Sequence, residues 1–140
     1  MAETTPDEAA VGAVLDAFHT AAATADEDAY FATMTDDFVF VGTDATERWD
    51  RVAFEVFARP HFEKESAWVY RSVERHIQFR GDVGWFDERL HNVNYGETRG
   101  SGVVVRDGKT WRIAQYVLSF PIPNDIAGDV VKQVKAATKR

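Results

Sequence analysis

Apolar positions recur at helical spacing along the first third of the chain and at alternating spacing along the second half. Val11, Val14, Leu15, Phe18 and Ala22 follow an i, i+3, i+4, i+7 stripe, which predicts an amphipathic helix with one face to cover. Thr5-Pro6-Asp7-Glu8 places a capping residue, a proline at the first helical position and a glutamate three residues after the cap. Thr24-Ala25-Asp26-Glu27 has the same box spacing and predicts a short second helix burying Tyr30, Phe31 and Met34. Asp36-Asp37 reads as a turn, and Phe38 to Val41 as a short strand ended by Gly42. Asp44-Ala45-Thr46-Glu47 is a third capping box. It predicts a helix carrying Trp49, Val52, Ala53, Val56 and Phe57, stopped by Pro60.

From Ala67 the texture becomes strand-like. Trp68 to Phe79 is one run, Arg80-Gly81-Asp82 turns, and Val83 to Asn92 returns. Asn94-Tyr95-Gly96-Glu97 is a loop. Arg99 to Asn124 reads as a β-hairpin around Asp107-Gly108. Pro121 and Pro123 end it, and Asn124 can cap a final helix with Ile126, Val130 and Val134 on one side. Helices first, then long antiparallel strands, is an α+β pattern. Three helices packed on one curved antiparallel sheet leave a gap where the sheet curls away, and that gap is the natural pocket. No repeats, linkers or low-complexity segments divide the 140 residues, so a single domain is expected over residues 1–140.

Composition narrows the partners. The chain is 45% apolar and 13% aromatic, with a net charge of −7, ample material for a core and a poor match to phosphate backbones or anionic membranes. The basic C-terminal residues Lys132, Lys135, Lys139 and Arg140 are too sparse to reverse that. The absence of cysteine excludes disulfides, thiolate metal sites and cysteine nucleophiles. No apolar run approaches a membrane span, and the acidic Met1–Ala10 segment has no leader pattern, so a soluble cytoplasmic protein is expected.

The candidate chemistry is carboxylate chemistry. Asp44 is either a helix cap or a base at the pocket mouth. In Trp85-Phe86-Asp87-Glu88-Arg89 successive side chains face opposite ways. Trp85, Asp87, Arg89 and His91 share one face, while Phe86, Glu88 and Leu90 share the other, which looks like a core face holding one acid. A buried Glu88 needs a partner, and Arg99 is the nearest candidate in chain order. Arg99, Ser101 and Gln115 form the hairpin's polar set. A two-residue loop at Asp107-Gly108 sets Gly100 and Gly102 near Gln115 and Ile113, and a three-residue loop sets Ser101 opposite Gln115. One slip inverts every facing. Tyr70, Tyr116, Trp49, Trp68, Trp85 and Trp111 are core or dimer-interface aromatics by default, with room for one or two of them to line a pocket. His19, His61, His76 and His91 lack metal-ligand spacing, and no phosphate loop or nucleophile elbow is present, so no metal or cofactor is expected.

Gly42-Thr43-Asp44-Ala45-Thr46-Glu47-Arg48-Trp49, Trp85-Phe86-Asp87-Glu88, Arg99-Gly100-Ser101-Gly102-Val103 and Trp111-Arg112-Ile113-Ala114-Gln115-Tyr116 together resemble the SnoaL-like branch of the nuclear transport factor 2-like superfamily, over about residues 7 to 125. The resemblance implies a cone-shaped α+β fold of the cystatin-like kind, a pocket between helices and sheet, and a homodimer formed through the outer sheet face; the residues after it, 125–140, are expected as a C-terminal helical tail. The superfamily holds isomerases, cyclases, hydrolases and pure binding modules, so fold alone does not carry function. The expectation is a small, largely apolar ligand, bound with or without cofactor-free acid/base chemistry; the alternative is a non-catalytic sensing or dimerisation module. Asp44 and Glu88 are the expected proton carriers. Trp49, Tyr70, Trp85, Asp87, Arg99, Ser101, Gln115 and Tyr116 are the expected ligand contacts.

Overall fold

A computed structural model describes residues 5–138. The expectations that touch the first four residues and Lys139 and Arg140 lie outside it. Helix α1, Pro6–Ala23, starts as the sequence requires, with Thr5 Oγ1 accepting from the Glu8 amide at 3.1 Å. Its stripe is buried at Val11, Leu15, Phe18, Ala21 and Ala22. Helix α2, Glu27–Ala32, is capped by Asp26, two residues later than the box suggested, after Ala25 turns the chain at φ 54°.

Strand β1 is longer than expected, Met34–Val41, and Asp36-Asp37 sits within it at a register irregularity between Met34 and Val39. The third capping box does not open a helix. Its residues bond within a tight turn instead: the Asp44 amide donates to Glu47 Oε1, and the Thr46 amide and hydroxyl donate to Asp44 Oδ1. The Gly42 amide donates to the Glu47 carbonyl, so the turn leads into strand β2, Arg48–Asp50, antiparallel to β1. The same local hydrogen bonds that cap a helix can close a turn, and strand pairing decided between them. Trp49 is therefore a strand residue. Helix α3, Arg51–Phe62, is capped by Asp50 and runs two residues past Pro60, which sits in the last turn.

The remaining strands are β3 (Arg71–Arg80), β4 (Val83–Asn92), β5 (Gly96–Asp107) and β6 (Thr110–Ser119). Trp68 to Tyr70 precede β3 as irregular chain rather than strand. The sheet order is β2-β1-β6-β5-β4-β3. All neighbours are antiparallel except β1 and β6, which run parallel, so the sheet is mixed where a purely antiparallel one was expected. A 3-10 turn, Asn124–Ile126, precedes helix α4, Ala127–Thr138. The helices α1 to α3 cover the concave face, and the core lies between them and the sheet.

The hairpin register follows neither of the two anticipated schemes. The loop is two residues, Gly108-Lys109, with Asp107 paired to Thr110, and a bulge between Val103 and Val104 shifts the pairing by one. Beyond that bulge Val103 faces Gln115, Gly102 faces Tyr116 and Gly100 faces Leu118. A bulge adds a residue to one strand and so re-aims everything after it. Here it turns Tyr116 inward, over Gly100. A Cβ on Gly100 would overlap the Tyr116 hydroxyl and come within 2.6 Å of ring atom Cζ. Because Tyr116 is buried and tethered, Gly100→Ala is expected to destabilise the fold by about 1–3 kcal/mol, as overpacking does. Urea denaturation should show a lowered midpoint at unchanged slope.

Candidate functional site

The alternating burial of β4 puts Phe86, Glu88 and Leu90 inside, and Trp85, Asp87, Arg89 and His91 outside. Glu88 is 1% exposed, yet both of its oxygens are satisfied. Arg75 Nε donates to Oε1 at 2.8 Å, Tyr116 Oη donates to Oε2 at 2.7 Å, and His19 Nε2 lies 2.7 Å from Oε2. Arg75 also reaches the Gly12 carbonyl (3.3 Å) and Asp16 Oδ1 (3.0 Å) on α1. The expected Glu88–Arg99 pair does not form. Gly100 stands opposite Glu88, and Arg99 falls on the outer face opposite Arg89.

Burial by itself would raise the Glu88 pKa. The hydrogen bond and charge of His19, the charge of Arg75 and the Tyr116 hydroxyl outweigh it and hold the pKa at about 2. Glu88 is thus a carboxylate at any working pH and a poor proton acceptor. Burial first, and then the neighbouring Glu88, push the Tyr116 phenol well up, so it stays a hydrogen-bond donor.

Beside this network lies a cavity of about 490 Å³, within the range of small-molecule sites. Phe40, Trp49, Phe54, Phe57, Trp68 and Tyr70 supply its aromatic lining, and His61, Asn92, Asn94 and Glu47 its polar groups. The aromatic wall is ordered by ring contacts: Phe40 stacks on Phe54 at 4.5 Å, and Trp49 on Phe57 at 4.4 Å. Burial, and then the nearby Tyr95, push the Tyr70 phenol up to about 12, so Tyr70 offers a neutral hydroxyl. A second void, of about 10 Å³, is lined by His19, Tyr116, Phe18 and Leu90, and shares Phe40, Trp68, Tyr70 and Leu118 with the large cavity. His19 and Tyr116 therefore stand between the ionised Glu88 and the ligand-sized space.

The structure thus gathers only part of the expected site. Trp49 and Tyr70 line the cavity, Tyr116 lines the inner void, and Glu88 is buried behind it. Asp44 is exposed in the β1–β2 turn, next to the lining residue Thr43, and is not itself a lining residue. Hydrogen bonds from the Thr46 amide and hydroxyl hold its carboxyl below the usual range. Trp85, Asp87, Arg99, Ser101 and Gln115 lie on the outer sheet face, away from the cavity, because each alternates with an inward neighbour. Sequence reasoning missed His19, Arg75 and His61, and carried Trp68 only as one of six aromatics of which one or two could line a pocket. Two of these had a signal. His19 follows Leu15 by four on the apolar face of α1, and a two-residue turn at Gly81-Asp82 sets Arg75 opposite Glu88. Among the described residues no cluster of ligands could hold a metal ion, and no helix is long and apolar enough to cross a membrane.

Helices on a curved mixed sheet, with a cavity between the two layers, define a cystatin-like, NTF2-like α+β protein. Residues 11–123 match the SnoaL-like domain model, and the chain belongs to that family. No curated protein sequence matches. Solved structures agree on the fold. An NTF2-like protein of unknown function from Pseudomonas putida KT2440 is 15% identical, with 89% of this chain and 93% of that one covered at a TM-score of 0.71. A protein of unknown function with a cystatin-like fold from Nostoc punctiforme PCC 73102 is 14% identical, with 85% and 94% covered at 0.68. A candidate ketosteroid isomerase from Shewanella frigidimarina NCIMB 400 is 17% identical, with 79% and 94% covered at 0.62.

The folded pKa of Glu88 lies below its ordinary 4.5. Its ionised form therefore adds stability that is complete above about pH 5 and is lost as pH falls through 4.5 toward 2. The shift corresponds to about 3 kcal/mol. Glu88→Gln is expected to lower the unfolding free energy at pH 7 by about that amount and to flatten its fall between pH 5 and pH 2. Urea melts of both proteins across that range check it.

Proposed function

We propose that this protein binds a small, largely apolar, ring-bearing molecule in the cavity between α3 and the open end of the sheet. One observation carries the reading: a ligand-sized space walled by stacked aromatic side chains and edged by a few polar groups. A structural, non-catalytic module needs no such space, and a core evolved only for stability closes its voids. A second copy docked on the outer sheet face is part of the proposal. Val83 and Trp85 are exposed there beside half-buried Val103, Val105 and Val117, and sedimentation velocity reads the mass directly. A cytoplasmic setting is also part of it, compatible with the absence of cysteine.

Binding is testable with N-phenyl-1-naphthylamine, an uncharged aromatic dye that brightens in apolar surroundings. The expected result is saturable brightening and a raised melting temperature. Trp49→Ala should weaken binding roughly tenfold, the loss of about 1.4 kcal/mol of aromatic contact, and Asp44→Asn should leave it unchanged. No saturable binding by this dye or by a panel of apolar aromatics of similar size would sink the reading.

The arrangement at the inner end of the cavity favours a second, compatible reading: proton transfer next to a carbonyl. His19 is the titratable group there that both lines the void and is oriented by an ionised carboxylate. Glu88 is the positioning residue, because a carboxylate with a pKa of about 2 does not take up a proton near neutrality. In this reading the imidazole removes a proton from the carbon beside the carbonyl, and the resulting enolate oxygen is stabilised by a neutral phenol. 1-Indanone in deuterated water is the probe. Wild-type protein should speed deuterium incorporation at C2, followed by proton NMR, and His19→Gln should abolish the acceleration while the ketone still binds. Equal rates in the two proteins would leave only the binding reading.

A further inference from the structure

Helix α4 is the one long element among the described residues that covers nothing. None of its twelve residues is fully buried, and its main element contact is with the 3-10 turn that precedes it. Its pattern is nonetheless that of a packed helix. Ala127, Val130, Val131, Val134 and Ala137 form one stripe, and Asp129, Lys132, Gln133 and Lys135 lie off it. Val131 and Val134 are each about half exposed. An isolated helix of this length is marginal in water and draws its stability from the surface its apolar face meets.

Charge says what kind of surface that is. Asp129 stands against Lys132, Lys135, Lys139 and Arg140, so the segment from Ala127 onward carries +3. With −7 for the whole chain, −10 falls on residues 1–126. Within α4 itself Asp129 offsets one of Lys132 and Lys135, leaving +1, and a mildly basic amphipathic helix attached to an acidic body is complementary to a second copy of that body. Pro121 and Pro123 fix φ at two positions in the segment between β6 and α4.

The cavity rim offers the matching surface. Val93 and Tyr95 are 85% and 60% exposed there, with Val69 beside them, and all three line the cavity. Glu47 lines the same cavity, and the exposed run Glu63-Lys64-Glu65, net −1, closely precedes Ser66, another lining residue.

We propose that α4 is an arm that docks its valine stripe on the cavity rim of a second copy of this chain, each copy giving one arm and receiving one. The exchange is isologous, as a two-fold pair requires. It places a partner's helix across the cavity mouth, so ligand entry and dimer formation are coupled. Docking needs no ligand, and its failure leaves the binding reading untouched.

The chain has no cysteine, so Val134→Cys carries a bimane label at a single site in the full-length protein. Label emission and iodide quenching are followed against protein concentration, with the mass read in parallel by sedimentation velocity. The expected result is a blue shift and at least several-fold weaker quenching that rise together with the doubling of mass. Both should be reversed by Tyr95→Arg at the rim and weakened by added salt. A label already shielded at concentrations where the protein is monomeric would mean docking on its own body. A label still quenched in the dimer would mean a dimer built without the arm. A label shielded only by vesicles of anionic lipid would mean a membrane surface. Each of these three results overturns the proposal.

Discussion

A single buried carboxylate organises this molecule. Glu88 is a full charge in the interior, and a charge there survives only where its oxygens are occupied by donors of the right sign. Those donors come from three other elements: His19 from α1, Arg75 from β3 and Tyr116 from β6. Arg75 reaches on to Asp16 and the Gly12 carbonyl, so the first helix is tied to the sheet at two points along its length. Phe18, next to His19, then stacks against Tyr30 and packs on Tyr116, each at 4.8 Å, which joins the polar network to the aromatic core. Breaking one arm of this network strands a charge for which the fold has no other outlet.

The same constraint separates two kinds of interior. On the Glu88 side the space between helices and sheet is filled, and only a void of about 10 Å³ is left at the ring of His19. On the other side the irregular stretch before β3 and the β1–β2 turn stand back from the sheet and leave about 490 Å³ open. Stability and binding are thus supported by neighbouring residues with different chemistry: ion-paired groups that hold position, and aromatic rings that present apolar area. Tyr116 belongs to both, since its hydroxyl is bound to Glu88 while its ring borders the inner void.

Several errors of the sequence reading share one cause. Local hydrogen-bonding signals are real but do not say which larger structure uses them. Glu47 Oε1 accepts from the Asp44 amide as in a capping box, but Asp44 Oδ1 accepts from Thr46, and these bonds close a turn between two strands while Asp50 caps the helix. Arg99, Ser101 and Gln115 are polar residues on a long hairpin, as expected, but alternation and a bulge send them to the outer face. His19 and Arg75 were within reach of the pattern, one by helical spacing and one by hairpin register. Each was ordinary until Glu88 was seen between them.

The chain's own pattern determined the helices, the strand-rich second half, the inward face of β4 and the burial of Glu88. These follow from periodicity and alternation, which act over a few residues and need no knowledge of the rest of the fold. It was also enough for the family resemblance that the SnoaL-like match upholds. Tertiary structure decided the partners of Glu88, the parallel pairing of β1 with β6, the bulge that turns Tyr116 inward over Gly100, and the position of the cavity. Those depend on which segments meet across dozens of residues, and a shift of one position in register reverses every side chain beyond it.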